Sequence, residues 1–220
     1  MTRKIYEEQL KQLRQLIAEM GDLNITALND TVTALETMDT SLAAGVKKAE
    51  TAVDEKETEI ERLCVKLILK QQPVAGDLMF VTSAMKMVTD MERIADQAVD
   101  ICGLIVKMSR LPYAEVPAEI FEMAGKVKEM VAGATDSFLR RDVDLAKATC
   151  RADDAVDDLF DTVKGKLTKV VYKEIEDDEN GEQALDLLMI AKYFEKIGDH
   201  ASNVAEWVIY MVTGEHKKLN

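Results

Sequence analysis

The sequence predicts an all-α protein made of one three-helix unit repeated in tandem. Three observations predict it. Apolar residues recur at steps of three and four along six long segments, the period of a helix with one buried face. Strand-like runs are nearly absent, and the 220 residues include only 5 Phe, 5 Tyr and 1 Trp. One stretch also occurs twice. It reads Glu92-Arg93-Ile94-Ala95-Asp96-Gln97-Ala98-Val99-Asp100 and then, 103 positions on, Glu195-Lys196-Ile197-Gly198-Asp199-His200-Ala201-Ser202-Asn203.

A first helix is expected over about residues 5–40, with Leu10, Leu13, Leu16, Ile17, Met20, Leu28, Val32 and Leu35 on its buried face. Gly21 interrupts that pattern and is expected to loosen it. Asp39-Thr40-Ser41 supplies a turn and a cap for the second helix, over about 42–71, whose apolar stripe is Val53, Ile60, Leu63, Cys64 and Leu67. Pro73 and Gly76 stop it, and Asp77 is the expected N-cap of a third helix reaching about residue 109. A connection this short makes the second and third helices antiparallel neighbours.

Residues 110–117 hold two nearby prolines, Pro112 and Pro117, and form the junction between halves. A fourth helix runs to about Arg141, Asp142 makes the next turn, and a fifth runs to about Glu174. The acidic segment 176–181 reads as a solvated loop. A sixth helix turns Leu185, Leu188, Ala191, Phe194, Ile197, Ala201, Val204 and Val208 inward. The repeat holds over this length at one offset. Asp39, Leu42 and Ala43 match Asp142, Leu145 and Ala146, while Ala49, Glu50, Val53 and Asp54 match Ala152, Asp153, Val156 and Asp157. Unrelated helices do not keep register across two loops, so the chain divides into repeats at 1–111 and 112–220, each long enough to bury a core of its own.

Charge and composition exclude several functions. A net charge of −13 repels phosphate backbones, so no nucleic-acid partner is expected. No apolar run reaches the roughly 18 residues of a membrane span, and the first residues lack the apolar core of a signal peptide. A cytoplasmic protein without membrane insertion is expected. Cys64, Cys102 and Cys150 fall at apolar helical positions and read as buried free thiols. The 12 Met read mostly as core filler. There is no phosphate-cradling Gly-rich loop, no nucleophile elbow and no Glu-x-x-His pair of the di-iron bundle enzymes. His200 follows Asp199 in the repeated motif, but its counterpart is Gln97, which argues against an obligate ligand role; His216 lies in the tail.

What remains is acid in stripes. Four residues advance a helix by about 40°, so Glu92, Asp96 and Asp100 share one face of the third helix. Glu50, Asp54, Glu57 and Glu61 form a similar stripe on the second. The second half offers Asp153, Asp157 and Asp161 on the fifth helix and Glu195, Asp199 and Asn203 on the sixth. On two antiparallel helices the stripes either face each other or lie on opposite outer flanks. Facing carboxylates repel and raise one another's pKa unless a cation sits between them. Oxygen ligands suit Mg, Ca, Mn, Ni, Fe or Zn. In a chain with 41 acidic residues such pairs also arise as solvated surface. Their retention in both halves tells against that reading.

These segments resemble the PhoU family of bacterial phosphate-signalling regulators. Gln71-Gln72-Pro73-Val74-Ala75-Gly76-Asp77-Leu78 is similar to that family's Q-P-x-x-x-D-L segment, and the run from Glu195 to Glu206 to its E-R-I-G-D-H-x-x-N-I-A-E signature. Glu50-x-x-x-Asp54 and Asp153-x-x-x-Asp157 resemble its acidic partner motifs. Three positions depart: Met79 stands where Arg is common, Ala95 where the signature has Gly, and Lys196 where it has Arg. The resemblance implies two three-helix bundles packed side by side, with metal ions, most often iron or zinc, held by the acidic motifs. It further implies a cytoplasmic adaptor without a reaction of its own. Such an adaptor links the ATPase subunit of the phosphate ABC transporter to a sensor histidine kinase and represses the phosphate-starvation response. A metal-dependent hydrolase or oxidase on a carboxylate bundle is the alternative. A homodimer is left open.

Overall fold

A computed structural model describes residues 2–110, 115–173 and 178–215. It consists of six helices: α1 Thr2–Thr37, α2 Thr40–Gln71, α3 Gly76–Met108, α4 Ala118–Arg140, α5 Val143–Lys173 and α6 Asp178–Thr213. No strand occurs among the described residues. None of these helices is long and apolar enough to cross a membrane. Residues 111–114 of the expected junction, 176–177 of the expected acidic loop, and the tail with His216 lie outside the described residues. From Asp178 onward the expected loop is already helix.

The turns carry the repeat down to backbone conformation. Met38 adopts a left-handed φ of 51° and Arg141, its counterpart, one of 56°. In each case an Asp follows and caps the next helix. Asp39 Oδ1 accepts from the backbone N–H groups of Ser41 and Leu42, and Asp142 Oδ1 from those of Asp144 and Leu145. The α2–α3 turn differs from expectation. Gln72 closes α2 in the left-handed conformation, Pro73 follows, and α3 begins at Gly76 behind Ala75, with no side-chain cap. Asp77 lies inside the first turn, where its charge suits the helix dipole. It also lies beside Tyr6, whose hydroxyl is pushed up to about 12 by burial first and by Asp77 second.

Packing unites the halves more closely than the repeat implies. The core falls into two clusters, and each draws on all six helices. One joins Leu28, Val46 and Ile105 to Ile120, Val163 and Phe194; the other joins Ile17, Leu67 and Phe80 to Phe138, Cys150 and Val208. The start of α3 therefore packs with the end of α6, and the end of α3 with the start of α6, so these helices run antiparallel at the centre of the molecule. Each half is a three-helix bundle, the two bundles lie side by side, and their cores merge where α3 meets α6 and α1 meets α4. Phe80 on α3 stacks on Phe138 on α4 across the halves, with ring centroids 5.0 Å apart and planes 22° from parallel. Both rings are fully buried, and truncating either to Ala would cost about 3–5 kcal/mol.

Two expectations about helix faces change. Gly21 does not loosen α1, which is continuous through it; a Cβ there would stand 2.6 Å from Thr135 Cγ2 on α4. The glycine lets two helices from different halves approach. Near its start, α6 turns Ala184 and Leu187 inward and leaves Leu185 53% exposed, because Gln183 and Asp186 occupy buried positions that a purely apolar count passes over. The three cysteines are free and buried, as their positions predict.

Candidate functional site

The acidic stripes face each other in both halves. In the first groove, between α2 and α3, Glu50 is 5% exposed, and Asp54, Glu57, Glu92 and Asp96 are partly buried beside it. Burial raises the pKa of Asp54, and the charges of Glu50 and Asp96 raise it further. Glu92 is pushed up to about 7, by burial first and then by Asp96, with Glu57 adding to it. Glu57 and Asp100 are raised for the same leading reason. Desolvation thus outweighs mutual repulsion, though both act in one direction.

The second groove, between α5 and α6, is built alike. Asp153 is 3% exposed and is pushed up to about 6 by burial and by the charges of Asp199, Asp157 and Glu195. Asp157 is raised by burial and by Glu195 and Asp199. Asp153 and Asp157 on α5 therefore face Glu195 and Asp199 on α6. Two predicted members stand apart. The Asp161 side chain is 78% exposed and lies 4.0 Å from Lys164. Asn203 donates to Asp90 Oδ1 on α3 at 3.1 Å, across the central seam, where His200 Nδ1 also meets Asp90 Oδ1 at 2.9 Å.

Basic side chains enter both grooves. Lys47 Nζ lies 2.6 Å from Glu50 Oε1, close enough to Asp54 and Asp96 to feel their charge. Arg93 bridges Glu92 at 3.4 Å and Asp96 at 3.1 Å. In the second groove Lys192 holds Glu195 at 2.7 Å and Lys196 holds Asp199 at 2.5 Å. Each pair is spaced i,i+3 apart from the Arg93–Glu92 contact, a spacing legible in the sequence although the acids alone attracted notice. Lys47 has Cys150 as its counterpart and Lys192 has Thr89, so the two grooves recruit their lysines from different helices.

The residue that sequence reasoning passed over is Gly198. A Cβ on it would lie 2.9 Å from Asp153 Oδ1. The short Asp side chain is folded against the backbone of α6, and only glycine leaves it that room. In the first half the corresponding pair is Glu50 opposite Ala95. The longer acid reaches out to Lys47 and the methyl group is accommodated. Ala95, which stands where the signature has Gly, is thus paired with a Glu at position 50 where the second half has Asp153.

The donor set fits a hard or borderline cation. It is all oxygen, it is desolvated, and it leaves buried acceptor capacity open. Asp54 Oδ1 is buried without a hydrogen-bond partner, and Glu195 Oε2 likewise, with only the Lys196 ammonium 3.5 Å away. As the side chains stand, no three His, Cys, Asp or Glu groups among the described residues are drawn around one point. The residues that could hold an ion are Glu50, Asp54, Glu57, Glu92 and Asp96 in the first groove, with Asp100 at its edge, and Asp153, Asp157, Glu195 and Asp199 in the second.

Comparison with known proteins agrees with this architecture. The family model described as the PhoU domain matches residues 17–105 and again 120–208, two segments separated by the same offset as the internal repeat. A phosphate-specific transport system accessory protein PhoU homolog of Clostridium acetobutylicum is 36% identical, with 100% of each chain covered. The homolog of Pseudomonas aeruginosa is 32% identical over 95% of this chain and 86% of its own. The crystal structure of PhoU from Pseudomonas aeruginosa superposes with a TM-score of 0.87 at 32% identity, covering 96% of this chain and 100% of that one. The phosphate transport system regulatory protein PhoU from Streptococcus pneumoniae shares the fold at a TM-score of 0.88 and 22% identity, covering 97% of this chain and 100% of that one.

Proposed function

This chain belongs to the PhoU family, and on that premise we propose that it is the accessory and regulatory protein of a phosphate-specific transport system, acting by binding rather than by catalysis. In this reading it links the ATPase subunit of the phosphate transporter to a sensor histidine kinase in the cytoplasm and holds the phosphate-starvation response down when phosphate is plentiful. Full-length similarity to relatives named for that role supports the transport half of the reading. The observation that carries the binding mechanism is the pair of facing carboxylate grooves, one in each half.

The grooves are the proposed seats of metal ions, iron or zinc being the first candidates. An ion bound there would supply positive charge at a face that is otherwise strongly acidic. The chain's own part is to hold the oxygen ligands desolvated on rigid helices and to keep Lys47, Arg93, Lys192 and Lys196 near as counter-charges. An ion must compete with these tethered cations, so affinity is set by their displacement as well as by the carboxylates. Elemental analysis of protein purified without chelator tests the metal. Retention of the transporter ATPase and of the kinase cytoplasmic region on the immobilised full chain tests the adaptor role. Failure to retain either partner, together with a measured turnover, would favour the carboxylate-bundle enzyme instead.

A further inference from the structure

The start of α3 carries a second cluster of like charge, of the opposite sign. The Arg14 guanidinium on α1 lies 5.2 Å from the centroid of the Phe80 ring, and that of Arg141, at the end of α4, lies 5.1 Å from the same centroid. Phe138 stacks on one face of this ring. The two cations share this one ring, no further apart than the sum of those two distances. Phe80 is fully buried, whereas both arginines are exposed. Phe80 precedes Glu92 by twelve residues, roughly 18 Å along α3, which separates this place from the acidic groove.

Two cations on one ring repel unless an anion offsets them. The neighbouring acids are engaged elsewhere. Asp142 caps α5, Asp136 takes Arg140 at 2.9 Å, and Asp77 lies beside Tyr6. Among the described residues neither Arg14 nor Arg141 forms an ion pair, in a chain whose net charge is −13. Arg141 is also fixed at its backbone: it is the left-handed cap of α4, its N–H bonded to Phe138 and Ser137 carbonyls. The repeat does not require the arrangement, since the positions corresponding to Phe80, Arg14 and Arg141 in the other half are Gln183, Pro117 and Met38.

We propose that Arg14 and Arg141, posed on the Phe80 ring, form a binding site for a phosphate group. Each guanidinium presents paired N–H donors whose spacing matches two oxygens of an oxyanion, and both arginines are exposed to receive one. A dianion with several oxygen edges satisfies both forks and removes their repulsion, which a halide or a single carboxylate does less completely. The phosphate group is either free inorganic phosphate or a phosphoryl group displayed on a partner's side chain.

The test is a titration of chelator-treated, full-length protein, followed by the arginine side-chain Nε–H resonances in NMR. One arm uses inorganic phosphate and the other a phosphoserine peptide, both at constant ionic strength in chloride. The site predicts saturable shifts at Arg14 and Arg141 together. Affinity should fall roughly tenfold in R14Q or in R141Q, the loss of one charge-assisted fork, and fall also in F80L, which keeps an apolar side chain without the π face. R140Q should bind as wild type does. Tighter binding in the peptide arm identifies a displayed phosphoryl group; binding in the inorganic arm that is as tight or tighter identifies the free anion. No saturable shift with either probe, or an equal loss in R140Q, overturns the proposal. Because the metal has been removed, neither result bears on the carboxylate grooves.

Discussion

Asp153 Oδ1 occupies the space beside Gly198 in which any other residue would place its Cβ, 2.9 Å away. The carboxylate of one helix and the missing side chain of another are a matched pair. Gly198→Ala therefore sets two effects against each other. Helix propensity favours Ala by about 1 kcal/mol, while overpacking against a nearly buried, short side chain costs about 1–3 kcal/mol. We expect a net loss of about 1 kcal/mol, read as a lower urea midpoint, with a weakened second metal site. Ala95→Gly has no such clash to relieve and should lose about 0.5–1 kcal/mol from backbone entropy alone. A G198A protein as stable as wild type would mean that the carboxylate can step aside.

Removing one facing acid should separate metal content from folding. Asp96→Ala and Asp199→Ala each take a ligand from one groove. Each should lower the metal content measured by elemental analysis, leaving the other groove loaded. Neither should unfold the chain, because the carboxylates repel one another in the metal-free state. Far-UV circular dichroism and thermal melts of the chelator-treated variants check this. Loss of helical signal in both would show that these acids are structural.

The raised carboxyl groups fix the sign of the pH dependence. Glu92 titrates near 7 and Asp153 near 6 in the folded chain, against roughly 4.3 and 3.9 when unfolded. Between those limits the folded state holds more protons than the unfolded state, so stability declines as pH rises. Asp54, Glu57, Asp100 and Asp157 are raised too and act the same way. Glu19 and Glu119, held low by Lys56 and Lys166, act the opposite way. Chelator-treated protein should therefore show a urea midpoint that falls from about pH 5 to pH 8, and Glu92→Gln should flatten the upper part of that fall. A midpoint that climbs over this range would contradict the desolvated groove.

The contact between Gly21 and Thr135 should show itself by coupling. Gly21→Ala drives a methyl into Thr135 and should cost about 1–3 kcal/mol, while Thr135→Ala opens the space it needs. The double variant should recover most of the loss, giving a coupling energy well above the roughly 0.3–0.5 kcal/mol scatter of independent sites. Additive single effects, measured by denaturation, would place the two residues apart.

Local pattern made much of this legible. Periodicity placed all six helices, Asp39 announced its cap and Asp142 its turn, and the repeat located the acidic stripes of both halves. The choice between facing and flanking stripes was open in the sequence because it depends on how α2 rotates against α3, which packing decides. Asn203 left the expected ligand set for the same kind of reason. Its partner Asp90 is 113 residues away, on a helix of the other half, and no local spacing announces it. Asp161 follows the stripe in sequence but stands beyond the buried part of the groove. Gly21 reads as a weak point until the helix that crosses it is known.

Each core cluster is lined by helices from both repeats, and this changes what duplication means here. A chain cut between the repeats would strip from α3 and α6 the cover that each gives the other, and from α1 and α4 likewise. The two repeats are therefore one packed body. The molecule should melt in one transition, as a single span of packed helices. A load applied at one groove is then borne by the same beam that carries the other, through α3 and α6.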